Sequence, residues 1–250
     1  MEKLNFIFLH GFLGQAQDWD GVIQNLQKEF PQHHYQALDY FNHPPLSPKV
    51  SFEKWSENLV NYLGAEFGNQ RLILVGYSLG GRLALHALTY FPEKFSFLFL
   101  ISTNPGLLES QVEERKKRRD DDQAWSQRFL NEDWEVVVKD WNLQSVFEGS
   151  KNEPERQEKQ FRRDLLAKAL SNWSLGGQED LRSVLTVNQR KIAWTAGDLD
   201  RKYIQLTKDI FKTCPDMIYN ICPNSSHRVL FDNPVELSRA MGRIIRKDFK

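Results

Sequence analysis

Arg71-Leu72-Ile73-Leu74-Val75-Gly76-Tyr77-Ser78-Leu79-Gly80-Gly81-Arg82-Leu83-Ala84-Leu85-His86-Ala87 is the stretch that decides the fold. Leu72–Val75 is a short apolar run with the length of a buried strand, and the segment from Leu79 onward is built from helix formers. Between them stands Gly-x-Ser-x-Gly, which makes Ser78 the corner of a sharp strand-to-helix turn. Such a corner strains the serine backbone, and the flanking glycines leave room for strand and helix to approach each other. The hydroxyl is thereby lifted above the sheet as a nucleophile. A bare Gly-x-Ser-x-Gly can also be an ordinary glycine turn; the strand before it and the helix after it make the difference.

Working outward, further apolar runs stand at Leu4–Leu9, Phe97–Ile101, Ile192–Ala196 and Met217–Cys222, with a weaker one at Tyr35–Leu38. Amphipathic stretches separate them, at Trp19–Glu29, Phe52–Phe67, Leu79–Tyr90, Tyr203–Phe211 and Pro234–Ile245. Strands that alternate with helices need crossover connections, so an α/β fold is predicted, with a mainly parallel sheet and helices on both faces. Between Pro105 and about Arg190 this rhythm stops and charged helical sequence takes over. The division predicted is a core of residues 1–104 and 191–250, with an inserted helical cap at 105–190. Within the insert, Arg115-Lys116-Lys117-Arg118-Arg119-Asp120-Asp121-Asp122 reads as a solvated helix face.

The chain of 250 residues carries 33 Lys and Arg against 33 Asp and Glu, so no net field draws it to nucleic acid or to an anionic membrane. No apolar window reaches the roughly 18 residues of a membrane span, and the mean hydropathy is -0.56. Met1–His10 reads as a buried strand and not as a secretory leader. The two cysteines, Cys214 and Cys222, match no disulfide, zinc or redox spacing. A cytoplasmic protein without a metal is expected.

A serine hydroxyl becomes reactive when a histidine takes its proton and a carboxylate orients that histidine. Two histidines follow Ser78: His86, two helical turns on and out of reach, and His227, in the loop after the last strand. His227 is therefore the candidate base. The strand ending at Ala196 runs into Gly197-Asp198-Leu199-Asp200, which offers two carboxylates at one sheet edge. Arg82, four residues after Ser78, projects from the same helix face toward the same pocket. A permanent charge there suits a substrate with carboxylates, which guanidinium forks bind in pairs of hydrogen bonds.

The whole chain resembles the α/β-hydrolase fold, and within it the 2-succinyl-6-hydroxy-2,4-cyclohexadiene-1-carboxylate synthases, lyases of menaquinone biosynthesis. The resemblance rests on Leu9–Gly14 (Leu-His-Gly-Phe-Leu-Gly), Gly76–Arg82, Gln123–Phe129 (Gln-Ala-Trp-Ser-Gln-Arg-Phe), Asp140-Trp141 with Val146-Phe147, Gly197–Tyr203 and Ser226-His227-Arg228. The serine, acid and histidine segments are common to the superfamily; the arginine after Gly-Gly and the Trp-x-x-Arg-Phe segment are more specific to the lyases.

The resemblance implies a catalytic triad of Ser78, Asp200 and His227, with Asp198 left as a turn residue. It implies an oxyanion hole from the backbone N–H groups of Phe12 and Leu79, and a structural role for His10. Substrate-binding arginines are implied at Arg82, Arg118 and Arg162, with Arg163 or Arg156 as substitutes for the last, because the family's spacing is broken there. Tyr77 and Trp141 correspond to residues lining the pocket. The partner implied is a small polycarboxylate, and no organic cofactor is needed. The same triad would also serve a carboxylester or carbon–carbon bond hydrolase, and a hydrolase-fold binding protein without catalysis is a third reading.

Overall fold

The computed structural model describes residues 3–249, so residues 1, 2 and 250 of the predicted core lie outside the described residues. Six strands form a single all-parallel sheet in the order β2-β1-β3-β4-β5-β6. They are β1 (Asn5–Leu9), β2 (His34–Leu38), β3 (Leu72–Tyr77), β4 (Phe95–Ile101), β5 (Ile192–Gly197) and β6 (Ile218–Cys222). The helices, in chain order, are α1 (Asp20–Glu29), α2 (Phe52–Phe67), α3 (Leu79–Tyr90), α4 (Val112–Asn131), α5 (Trp134–Asn142), α6 (Arg163–Asn172), α7 (Arg182–Asn188), α8 (Arg201–Thr213), α9 (Val229–Asp232) and α10 (Pro234–Asp248). Each predicted strand is present, and α2 and α3 have the predicted bounds. The helix predicted from Tyr203 begins two residues earlier, because the Asp200 carboxylate caps it by accepting the Tyr203 N–H at 3.1 Å.

The period of two along a strand sorts side chains between the faces. Phe6 and Phe8 of β1, Ile73 and Val75 of β3, and Phe97 and Phe99 of β4 point into a core closed by α1 and α10 residues such as Val22, Leu26, Leu237 and Met241. Ile7 and Leu9, Leu74, and Leu98 and Leu100 point into the opposite core with Leu59 and Leu63 of α2 and Leu83 of α3. Phe95 joins that second core despite its odd number, because the β3–β4 register shifts between Leu72 and Ile73 and turns Phe95 over.

Winding proceeds from β1 outward to β2 on one side and then to β3 on the other. The loops after β1 and β3 therefore diverge around a crevice at the carboxyl edge of the sheet, the place where parallel sheets bind ligands. His10–Gly14 and the Ser78 corner flank that crevice.

The four helices between β4 and β5 do not build a core of their own. Phe129, Trp134, Leu166, Leu170 and Trp173 share one buried cluster with Leu9, Leu83 and Leu100 of the sheet and α3. Trp173 also donates its Nε1–H to the Val50 carbonyl at 2.9 Å, and Asn172 donates to Pro48 O at 2.9 Å. The reading of Arg115–Asp122 as a plain solvated face needs correction. Asp122 is buried, Arg115 donates to Leu107 O and Gln178 O, and Arg119 donates to Gly176 O. Arg115, Arg119 and Asp122 thus dock α4 onto the 174–178 loop, whose carbonyls need donors once buried. Among the described residues no helix is long and apolar enough to cross a membrane.

α3 crosses β1 at Gly80, where a β-carbon would collide with the carbonyl oxygens of Leu9 and His10. Gly80→Ala should therefore cost about 3 kcal/mol, seen as a fall in Tm of about 6–12 °C for a domain of this size. An unchanged Tm would mean that α3 can move off β1 freely.

Candidate active site

Ser78 has φ 52° and ψ -111°, a left-handed conformation that costs a residue with a side chain free energy of the order of 1–3 kcal/mol. The corner is held from both sides. The Ser78 N–H donates to Ile101 O at 2.9 Å, and its carbonyl accepts the Arg82 N–H at 3.1 Å. A β-carbon on Gly76 would lie 2.5 Å from Gly80 O and from Gly81 Cα, so glycine is required for β3 to meet α3 this closely.

His227 stands in the loop between β6 and α9. Its Nε2 lies 3.1 Å from Ser78 Oγ, and its Nδ1 lies 2.9 Å from Asp200 Oδ2. Histidine and aspartate are both buried. With its proton on Nδ1 donated to the carboxylate, the imidazole presents Nε2 as acceptor for the serine O–H. The other Asp200 oxygen takes the Tyr203 N–H at the start of α8, where the helix dipole also favours a negative charge. Asp198 faces elsewhere: its Oδ1 accepts the Ser225 N–H at 3.0 Å. Geometry thus separates two aspartates that the local sequence left equivalent. The Tyr203 ring packs 4.6 Å from the imidazole, and burial pushes its hydroxyl up to about 12, so it stays neutral.

Asp232 carries no signal in the sequence, yet it fixes the histidine loop. Its Oδ2 accepts the Ser226 N–H and Oγ–H, both at 2.9 Å, while Oδ1 accepts the Ser150 hydroxyl at 2.9 Å and the Lys151 N–H at 3.1 Å. One carboxylate thereby ties the residue before His227 to the inserted segment.

Ser78 and His227 open into a cavity of about 490 Å³, flanked by Phe12 and Leu79. Arg82 reaches it as expected, with its side chain nearly buried. Burial, reinforced by the charge of Arg118, pulls the Arg82 guanidinium down to about 10, which leaves it protonated at neutral pH. Arg118 lines the same cavity, bridged to Asp122 at 2.9 Å. Two cations that the sequence reading missed, Lys117 and Lys202, also line it. Burial first, and then Arg118, lowers the Lys202 ammonium. Its position two residues after Asp200, in the first turn of α8, was the available signal.

Arg162 is not brought to the cavity. Its guanidinium is exposed and pairs with Asp164 at 2.8 Å, because Arg162 sits at the N-terminus of α6, which points it into solvent. Arg163 donates to Glu132 O and stacks over Trp134. Arg156 does approach the serine, lining a narrow pocket of about 60 Å³ together with Ser78, Tyr77, Trp141 and Arg228. It closes on Asp18 through two hydrogen bonds of 2.8 Å, with both side chains only 6% exposed. Tyr77 lines only this smaller pocket, whereas Trp141 lines both. His10 is buried, its ring stacked 4.0 Å over Tyr40. His86 is buried against Phe52, and desolvation holds it down to about 3.

Residues 5–141 match the model of the α/β-hydrolase fold family. A Haemophilus influenzae protein, provisionally named a 2-succinyl-6-hydroxy-2,4-cyclohexadiene-1-carboxylate synthase, is 33% identical over 82% of this chain and 85% of its own length. The chain is an α/β hydrolase of this synthase family. An Escherichia coli O1:K1 synthase of the same name is 29% identical over 96% of the chain and 93% of its own length. Among solved structures, MenH from S. aureus superposes with a TM-score of 0.83, at 21% identity, over 100% of this chain and 96% of that one, which shows the shared fold. The motifs from Leu9 to Arg228 thus belong to a member of this synthase family.

Asp200→Asn should lower kcat by about 10⁴ through the wrong imidazole tautomer, while Asp198→Asn, which keeps its acceptor oxygen, should stay within a few-fold. Steady-state rates on the folded variants decide it, and the reverse order would move the acid to Asp198. Separately, Arg156→Ala leaves Asp18 buried without its cation and should cost about 3–5 kcal/mol in urea unfolding. A loss below 1 kcal/mol would mean that Asp18 finds water or another donor.

Proposed function

We propose that the chain eliminates pyruvate from 2-succinyl-5-enolpyruvyl-6-hydroxy-3-cyclohexene-1-carboxylate, giving 2-succinyl-6-hydroxy-2,4-cyclohexadiene-1-carboxylate in menaquinone biosynthesis. The observation that carries this reading is a buried, charged guanidinium, Arg82, in the cavity that also holds the Ser78 hydroxyl and its histidine relay. A neutral ester has no use for that charge, whereas a substrate with several carboxylates offsets its desolvation.

Ser78, with its proton drawn to His227 and the imidazolium stabilised by Asp200, acts as the base. It takes the proton next to the succinyl ketone, and the released electron pair passes into the enolate of that ketone. The backbone N–H groups of Phe12 and Leu79 hold the enolate oxygen; both residues flank Ser78 in the cavity, and Leu79 is the first residue of α3, where N–H groups lack helical partners. As the enolate collapses, the new ring double bond forms and the carbon–oxygen bond to the enolpyruvyl group breaks. The leaving group takes up a proton to become pyruvate. No water is consumed, and the substrate's own carbonyl serves as the electron sink, so no cofactor enters.

Arg82, Arg118 and Lys202 bind the carboxylates, with Trp141 and Phe147 against the ring. Residues 105–190 form the cap over this cavity, and Arg156 takes the place first given to Arg162 beside the serine. The protein works in the cytoplasm, where its two buried free thiols, Cys214 and Cys222, stay reduced.

Purified protein should release pyruvate from the enolpyruvyl substrate, with growth of ring-diene absorbance, far faster than the spontaneous reaction, and Ser78→Ala should abolish this at unchanged Tm. Arg82→Ala should lower kcat/KM by about ten- to a hundredfold, and Arg82→Lys should recover part. Pyruvate release at the spontaneous rate together with efficient cleavage of a nitrophenyl ester would replace the lyase by a hydrolase. Equal activity in Ser78→Ala would remove the triad.

A further inference from the structure

The arginines around the serine are held in two ways. Arg118 closes on Asp122 and Arg156 on Asp18, so each guanidinium is neutralised by a carboxylate of the protein. Arg82, the most buried of the cavity's cations, has neutral partners only. Its Nε–H donates to Gln178 Oε1, and its Nη2 donates to the Trp173 carbonyl at 2.6 Å. Among the described residues it forms no ion pair. The carboxylate whose field reaches it, Asp122, is already engaged by Arg118 and by the Ser174 hydroxyl at 2.7 Å. Two N–H groups of Nη1 and one of Nη2 remain for a ligand.

Gln178 comes from the loop between α6 and α7 and is 1% exposed. Its backbone carbonyl accepts from Arg115, and its Nε2 donates to Asn104 O at 3.4 Å. That last contact fixes the amide: with the NH₂ against a carbonyl, the oxygen is the end that faces Arg82. A glutamate has nearly the same shape and would bond a guanidinium more strongly, while giving up the donor to Asn104 O. An amide here keeps the geometry of such a pair while leaving the cation uncompensated, an arrangement that lowers stability and gains nothing for packing.

We propose that Gln178 is a positioning residue that sets the charge of the site: it aims Arg82 into the cavity through a neutral acceptor, so that the guanidinium's charge is reserved for a substrate carboxylate. This rests on the reading that Arg82 binds such a carboxylate. It makes selectivity for anionic substrates depend on a residue of the inserted segment that is held in place behind the guanidinium.

The test is a comparison of Gln178→Glu, Gln178→Met, Arg82→Ala and the double variant Arg82→Ala/Gln178→Met, by KM and kcat for the enolpyruvyl substrate and by Tm. Gln178→Glu, which gains an ion pair with Arg82 and loses the donor to Asn104 O, should show a KM raised by about tenfold, with kcat changed less. Gln178→Met, which loses the bond but keeps the charge free, should melt lower and show a smaller rise in KM. In the Arg82→Ala background Gln178→Met should have no further effect on KM, since Gln178 acts through Arg82. Should Gln178→Glu fail to fold, that cycle decides alone. A merely structural glutamine would give additive losses in the double variant, and either that result, a parental KM in Gln178→Glu, or Gln178→Met as damaging as Gln178→Glu would overturn the assignment of Gln178. A parental KM in Arg82→Ala would overturn the carboxylate reading itself, and the proposal with it.

Discussion

The close crossing of α3 over β1 and β3 is the constraint on which the site depends. Three backbone segments meet there at distances that leave no room for a β-carbon on Gly76 or Gly80. The chain can leave β3 and enter α3 so near the sheet only if Ser78 takes a positive φ. The strain at one residue is set against the burial of nearly the whole of α3 with its leucine and alanine side chains, so the corner is stable as a whole although unfavourable at its centre. Its consequence is chemical: the hydroxyl is displayed at the crevice between the β1 and β3 loops, and the last loop of the sheet delivers His227 to it.

Around this corner the protein has placed more charge than a core ordinarily accepts. Each buried charge is handled according to its use. Asp200 is satisfied twice, by His227 and by the helix terminus it caps, which fixes the ring that it must orient. Arg156 and Asp18 neutralise each other and knit the 150s segment to the β1 loop. Asp232 gathers donors from both the histidine loop and the insert. Arg82 alone among the cavity's buried arginines is left with dipoles for partners. A protein stabilised for its own sake would pair it, so the unpaired state points to a ligand that supplies the missing charge.

The inserted helices belong to this arrangement and are not an appendage. Their aromatic and leucine side chains complete the same hydrophobic cluster as the sheet, and their loops carry Trp173 O and Gln178, which hold Arg82. Packing and electrostatics therefore run without a break between these helices and the sheet.

The sequence by itself determined the elements and the centre of the site. Apolar runs of four to six residues between amphipathic stretches are local patterns, and they sufficed for six parallel strands and for α2 and α3 at their observed bounds. Gly76 to Gly81 made Ser78 legible because a strained turn demands glycine at fixed offsets, and His227 followed from its place after the last strand. The resemblance pointed to Asp200 over Asp198 for the imidazole, and the tertiary structure supplied the physical reason: both stand at one strand end, but only the Asp200 carboxylate is turned to His227. Tertiary structure alone placed Arg162 in solvent and Arg156 beside the serine, and it revealed Lys202, Gln178 and Asp232. Those residues lie in segments distant from Ser78 along the chain, and a surface arginine and a buried one look alike until the partners that desolvate or neutralise them are brought together by the fold.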